Sequence, residues 1–367
     1  MFKFLNLQPE VFGIDLNDSS IKVIKLEKKG TQFFMVSHNE LKVKSGVIKG
    51  GVITDQESLV KIIQAACGSV KGKKLATKYV MLSLPEERSF SQIIRLPNMK
   101  HQELVKAVPF EAENYIPLSI DKVYLDFEVI TPHKEVAGNS HLDVLVNVMP
   151  KYIVDSYVAC FKAADLVPYA LEIESQSVVR ALTKHGESQK PMVLIDFGGD
   201  STSLIIFSGD ALRFTASVPF SSKQLTAAIA DELKIKFGKA EELKTKNGLV
   251  DKKSKEGKET AKAMIRLLTD FADKIKKYIS FYHGHSSHDY FPSDDNIEKI
   301  VLCGGGANLK GLPEFLSQIL NVPVELGNPF LNIIPCDKGL KCPITHESAL
   351  SFTTAIGLAL RGARENM

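Results

Sequence analysis

Apolar and polar positions along the chain switch between two periods. Near its start, "VFGIDLNDSSIKVIKL" (Val11 to Leu26) runs from an apolar stretch through an aspartate and small polar residues into a second apolar stretch. With the stretch after it, this predicts strands over 11–16, 21–26 and 32–37, a meander. Gly46, Gly50 and Gly51 mark a loop. "DQESLVKIIQAACGSV" changes to helical spacing, with Asp55 as N-cap and Gly68 near the stop. "KYVMLSL" reads as a buried strand ending at Pro85.

The texture changes between about 86 and 165. A strand over 90–96 leads into "MKHQELVKAVPFEAENYIP", a helix that Pro109 must bend or restart. Strands follow over 123–130 and 141–149, separated by "TPHKEVAGNS", and then a helix over 151–164. This block reads as a small α+β unit inserted in a larger domain. A short strand (169–173), a helix (174–184) and the polar connector "HGESQKP" lead to "MVLIDFGGDSTSLIIF". Further on, the charged run "KNGLVDKKSKEGKE" reads as a solvated loop and 262–282 as a long helix. "IEKIVLCGGGANLKGLPEFLSQIL" gives a strand over 299–303, three glycines, and a helix after Asn308.

At 367 residues the chain has room for roughly two to three domains. A net charge of +3, with no dominant basic block, does not argue for nucleic acid. No apolar run approaches the roughly 20 residues that cross a bilayer, and the N-terminus lacks the apolar core of a signal peptide. The odd count of five scattered cysteines, Cys336 and Cys342 bracketing a loop among them, does not form a disulfide framework; a reduced cytoplasmic protein is expected.

"FGIDLNDSSIKVI" and "VLIDFGGDSTSLIIF" share a pattern: apolar strand, aspartate, one apolar residue, small polar turn, serine, apolar strand. Such an echo signals duplicated architecture. Either stretch alone is also an ordinary acidic hairpin. Together, Asp15 and Asp196 at strand ends suit Mg²⁺ held through its waters, and the small residues let backbone N–H groups approach phosphate. Gly304, Gly305 and Gly306 would let a flat ring lie against backbone, or else form a mobile strand–helix turn. Their spacing is not a dinucleotide fingerprint, and no GxxxxGK[ST] loop is present.

Strand-Asp-turn twice, and a late triple glycine before a helix, resemble the actin-like ATPase superfamily. "ESQSVVRAL" and "TAIGLALRG" look like its two connecting helices, and "AEELK" like its nucleoside-binding helix, with Glu241 and Lys244 at i and i+3. "RLPNMKHQELVKAVPFEAENYIPLSIDKVYLDFEVI", "GGGANLKGLPEFLSQIL" and "SALSFTTAIGLALRG" resemble the PilM family of type IV pilus assembly proteins over nearly the whole chain.

The resemblance implies an α/β, duplicated actin-like (ribonuclease H-like) two-domain fold with a small inserted α+β subdomain. Domain I would span 1–184 with the insert at about 86–165, domain II 190–350, and 351–367 would return to domain I as a helix. It implies ATP and Mg²⁺ as cofactors, with Asp15 and Asp196 on the metal. Asn17, Ser19, Ser20, Gly198, Gly199 and Thr202 would meet phosphates, and Glu241, Lys244 and Gly304 to Gly306 the adenosine. Asp196 is the candidate to orient an attacking water, with any turnover slow.

As partner it implies the short cytoplasmic N-terminal tail of PilN, a bitopic membrane protein, docked in a groove that the insert helps form at the inner membrane. The family's first turn reads Asp-x-Gly-Ser; here Asn17 and Asp18 follow Leu16. Asn17 can still take a positive φ, at some cost, and either Asp18 points away, or Mg²⁺ shields it, or nucleotide binding is weakened. Two unit charges about 4 Å apart repel by roughly 4 kcal/mol at an effective dielectric of 20.

Other readings stay in view. A small-molecule kinase of the superfamily would need a catalytic base in a substrate pocket, and no such segment stands out. A filament-forming, division-type actin homologue would self-associate. His283, His285 and His288 are read as a loop rather than a metal site. "MFKFLNL" is too short to anchor a membrane alone. No Ser, His and acid set suggests another hydrolase.

Overall fold

The computed structural model describes residues 9–130, 141–184, 186–251, 253–285, 296–335 and 344–365. The leading heptapeptide, the 131–140 connector, His288, the His285 side chain, and Cys336 with Cys342 lie outside the described residues. The chain forms two compact units. One takes the chain up to Glu187 and again from Asn328; the other is Ser188–Gly327.

In the first unit β1 (Val11–Leu16), β2 (Ser20–Lys29) and β3 (Gln32–Lys42) form the expected antiparallel meander. A two-residue hairpin, β4 (Ile48–Lys49) and β5 (Val52–Ile53), precedes α1 (Gln56–Gly68), which Asp55 caps by accepting from the Ser58 N–H at 3.0 Å. An edge strand β6 (Lys71–Gly72) and β7 (Tyr79–Leu84) follow. Then come β8 (Phe90–Pro97), α2 (His101–Ala112), β9 (Val123–Ile130), β10 (His141–Pro150), α3 (Lys151–Ala163), β11 (Val167–Ile173) and α4 (Glu174–Leu182).

The main sheet runs β11-β7-β1-β2-β3-β6, while β8-β10-β9 form a separate antiparallel sheet. α2 continues through Pro109 as one helix and packs Leu104 and Val108 on that small sheet with Val144, Val146 and Val148. The lost hydrogen bond falls at Val105, which is exposed, so water can replace it.

β1 is buried along its whole length, as befits a strand covered on both faces. Phe12, Ile14 and Leu16 join Leu59 and Ile63 of α1 and Ile153, Tyr157 and Phe161 of α3 in one core. The other face carries α10 (Thr353–Glu365), reached through α9 (His346–Leu350). Gly13 makes that approach possible, because a Cβ there would lie 2.7 Å from the Ala355 carbonyl oxygen and the Ala359 nitrogen.

In the second unit β12 (Ser188–Phe197), β13 (Thr202–Gly209) and β14 (Ala211–Val218) form another meander, followed by α5 (Ser222–Leu233), α6 (Phe237–Asn247) and α7 (Lys255–His285). β15 (Lys299–Cys303), α8 (Leu312–Leu320) and β16 (Val324–Leu326) complete it. The sheet order is β14-β13-β12-β15-β16. It repeats β3-β2-β1-β7-β11 strand for strand, antiparallel across the meander and parallel beyond it. The echo in the sequence is therefore an echo in topology.

Three details differ from expectation. β12 begins at Ser188, inside the expected connector, with a register break before Met192. α7 begins at Lys255 rather than 262. Asp251 accepts from the Lys253 and Ser254 N–H groups, both at 3.1 Å, and so starts the helix inside what looked like a solvated run. The chain rejoins the first unit at Asn328, ahead of 351, because Ile333 and Ile344 pack with Ile24, Leu26 and Met35, and Ile334 bridges Phe34.

Candidate functional site

The first acidic turn is largely self-satisfied. Asp15 ends β1 and is buried; its Oδ1 accepts from the Ser83 hydroxyl at 3.0 Å and its Oδ2 lies 3.4 Å from the Lys22 ammonium. Lys22, also buried, donates to Ser20 Oγ at 2.9 Å. A buried carboxylate requires such partners. Asn17 does not take the expected left-handed conformation; among the described non-glycine residues only Asp165, Lys234 and Asn321 have positive φ. Its Oδ1 instead accepts from the N–H groups of Ser19 (3.1 Å) and Ser20 (2.9 Å), an Asx-type turn. Asp18 turns its carboxylate onto the N–H groups of Gly50 (2.6 Å) and Gly51 (3.0 Å). Of the alternatives for Asp18, pointing away into a hydrogen-bonded seat is the one adopted.

The second turn is tight. The Gly198 N–H donates to Ser201 O at 3.0 Å, and a Cβ on Gly198 would sit 2.6 Å from that oxygen. The Gly198 and Gly199 carbonyls accept from the Ser222 and Lys223 N–H groups at the start of α5. Thr202 is corrected as a phosphate contact: it is fully buried and its hydroxyl donates to Phe220 O at 2.7 Å. Gly304, at φ 82°, lies against Asp196; a Cβ there would be 2.3 Å from Asp196 Oδ1. A Cβ on Gly306 would meet the Phe197 ring at 2.8 Å. These two glycines are thus required by the aspartate strand itself, whereas Gly305 is exposed.

Glu241 and Lys244 share one side of α6, as their spacing implied, with Nζ and Oε2 2.8 Å apart. The pair straddles the surface, with Glu241 exposed and Lys244 beneath it. Lys244 is buried and donates to Ser222 Oγ (2.7 Å), Ser222 O (3.1 Å) and Thr226 Oγ1 (2.8 Å), tying α6 to α5. Burial lowers the Lys244 pKa, and bonding to Glu241 only partly opposes it. Burial alone would raise Glu241, but hydrogen bonds from Lys244 and Thr226 bring it below the usual carboxylate range.

Sequence reasoning missed Lys22 and Ser83. Both sit in strands whose apolar neighbours dominate the pattern, and no sequence signal separates Lys22 from a solvent-facing lysine. It also missed Glu86, buried, whose Oε2 accepts from the Ser175 N–H at 3.1 Å beside Glu174 at the start of α4. Among the described residues no cluster of three or more His, Cys, Asp or Glu is placed to hold a metal, and no helix is long and apolar enough to cross a membrane. Cys67, Cys160 and Cys303 form no disulfide. Burial pushes the Cys67 thiol to about 12 and that of Cys160 to about 11, so neither is a nucleophile near neutral pH.

A repeated five-strand sheet, each copy ending its central strand in an aspartate before a tight turn, defines a protein of the actin-like α/β class. The same fold is seen in MreB5 of Spiroplasma citri bound to ADP (11% identity, TM-score 0.56, covering 98% of each chain). Residues 13–363 match the family described as type IV pilus assembly protein PilM, and the chain belongs to that family. It is similar to a chain of a solved PilM-PilN type IV pilus biogenesis complex, at 26% identity and a TM-score of 0.82, covering 97% of this chain and 99% of the other. It is also similar to the cell division protein FtsA of Enterococcus hirae, 24% identical over 90% of this chain and 80% of that protein.

Proposed function

We propose that this protein is a cytoplasmic, actin-like, ATP-binding adaptor, peripheral to the inner membrane, in the type IV pilus assembly platform. It engages the short cytoplasmic N-terminal tail of a PilN-like bitopic membrane protein. The observation that carries this reading is the family match over 13–363 together with near-complete mutual coverage of the chain from the PilM-PilN complex. The separate β8-β10-β9 sheet with α2 is the proposed partner-binding insert, and Val105, Phe110, Tyr115 and Leu118 stand exposed around its helix.

The residues present fit a magnesium-bound nucleoside polyphosphate. Asp15 and Asp196 offer carboxylates at strand ends, Lys22 a buried cation, Ser19 and Ser20 hydroxyls, and Gly199 and Gly305 exposed backbone. Glu241 and Lys244 would hold the nucleoside; Gly198, Gly304 and Gly306 shape the backbone around Asp196. The bound metal would screen the negative charge of the phosphates. Binding that favours one arrangement of the protein shifts its population by the difference in affinity, which makes the adaptor nucleotide-sensitive.

Calorimetric titration with Mg-ATP, then with a PilN tail peptide, tests this. Saturable binding of both is expected; if neither binds, the adaptor reading fails. A second reading, a filament-forming relative, is favoured by the FtsA similarity over 90% of the chain. Sedimentation on ATP addition separates the two: pelleting supports the filament, and a persistent monomer with bound tail peptide supports the adaptor.

A further inference from the structure

Gly50 and Gly51 join β4 to β5, and both are left-handed, with φ of 54° and 71°. Two such residues in succession aim their N–H groups into one concavity, which is an anion seat. The anion in it is the Asp18 carboxylate of the first phosphate turn, with one oxygen on each amide.

The carbonyls of the same two residues are held from the opposite side. Gly50 O accepts from Arg88 Nε at 2.5 Å, and Gly51 O accepts from the Tyr157 hydroxyl at 3.2 Å. Arg88 belongs to the 3₁₀ turn Glu86–Arg88 that leads into β8, and Tyr157 lies on α3, which leaves β10. Both connections of the inserted sheet therefore end on one diglycine.

The contact leaves little slack. A Cβ on Gly51 would lie 2.7 Å from the Pro85 side chain, and Tyr157 is fully buried. Its phenol is pushed up, first by burial and then by the charges of Glu174, Asp18, Glu87 and Asp15, so it remains a donor at physiological pH.

The geometry points to Asp18 as a positioning residue that mechanically couples the first phosphate turn to the inserted α+β sheet. The Gly51 N–H and the Gly50 carbonyl belong to one rigid peptide plane, so a shift of the Asp18 carboxylate that turns this N–H also turns the carbonyl bonded to Arg88; the Gly51 carbonyl bonded to Tyr157 lies in the next plane and follows through the Gly51 Cα. The coupling rests on the nucleotide-binding reading only for what drives it; the link itself stands in the unliganded protein.

Amide hydrogen exchange on the full chain tests the link. In Asp18→Ala without nucleotide, exchange is expected to quicken about tenfold at Gly50 and Gly51, and measurably in peptides covering 85–97 and 150–158, with α4 and α10 unchanged. A change confined to 46–54 overturns the coupling. Asp18→Asn, which keeps one acceptor oxygen, is expected to restore part of the protection. Mg-ATP then tests the driver. In the wild type it is expected to change exchange in both the first turn and 85–97, and in Asp18→Ala in the first turn alone. If calorimetry shows Mg-ATP bound to the wild type while 85–97 does not respond, the coupling is wrong and the nucleotide reading stands. If Mg-ATP does not bind, the nucleotide reading fails and the unliganded exchange comparison still decides the link.

Discussion

At the scale of single residues, the first turn presents its own side chain where a ligand would be received. Asn17 Oδ1 takes the two amides of Ser19 and Ser20, each bond contributing roughly 1 kcal/mol. Asn17→Gly removes that internal acceptor, so Mg-ATP is expected to bind several-fold more tightly by calorimetry. Unchanged affinity would mean that the amides of this turn do not meet phosphate. Asp196→Ala is expected to weaken Mg-ATP binding at least tenfold, and a wild-type affinity would show that the nucleotide sits elsewhere. The two aspartates were legible because a charged residue closing an apolar strand stands out. Lys22 was not, since a lysine alternating with Ile21 and Val23 has the pattern of a solvent-facing position; only its bonds to Asp15 and Ser20 reveal it. The left-handed Asn17 inferred from the family pattern gave way to an Asx turn, whose side-chain hydrogen bonds replace strained backbone.

Helices and strands were read more fully than their mutual contacts. The meander, the Asp55 cap and the α3 and α8 positions follow from periodicity and capping chemistry. The start of α7 was hidden because lysines on a helix's solvent face resemble a charged loop until Asp251 is seen capping it. "TTAIGLALRG" reads as an ordinary apolar helix, yet Gly357 lies where α10 meets α4: a Cβ there would be 2.0 Å from Ser177 O. Backbone oxygen cannot swing aside as a side chain does. Gly357→Val is therefore expected to cost about 3 kcal/mol or more, at the upper end for overpacked cores. Thermal denaturation checks this; a variant melting with the wild type would mean that the two helices separate at no cost.

Across the whole molecule, two sheets repeat one five-strand order, and the late stretch of the chain is bound into the first unit by charge as well as by packing. Glu172 of β11, with a side chain only 2% exposed, accepts from Arg180 of α4 (2.9 Å at Nη2) and from Arg361 of α10 (2.8 Å). Burial alone would raise its pKa, but the charge and hydrogen bonds of Arg180, with help from Arg361 and Ser177, bring it below the usual range. A depressed carboxylate stabilises the fold above its unfolded value of about 4.3, and that contribution is lost as pH falls through the folded value. Glu172→Gln, which leaves two arginines facing a neutral group, is expected to cost about 3 kcal/mol at pH 7. The gap to the wild type should close as the pH drops below about 4; a gap independent of pH would assign the loss to packing instead.

The small β8-β10-β9 sheet sits on the crossover from β7 to β11, and its apolar interior of Ile94, Leu104, Val108 and Val144 is distinct from the core beneath β1. In the second unit the matching crossover carries α8 alone. Substitutions on the outer face of the insert therefore leave the core beneath β1 intact. Under the proposed function, partner choice and the chemistry of the turns are then free to drift at separate rates, except at the Asp18 seat on Gly50 and Gly51, where the two are tied.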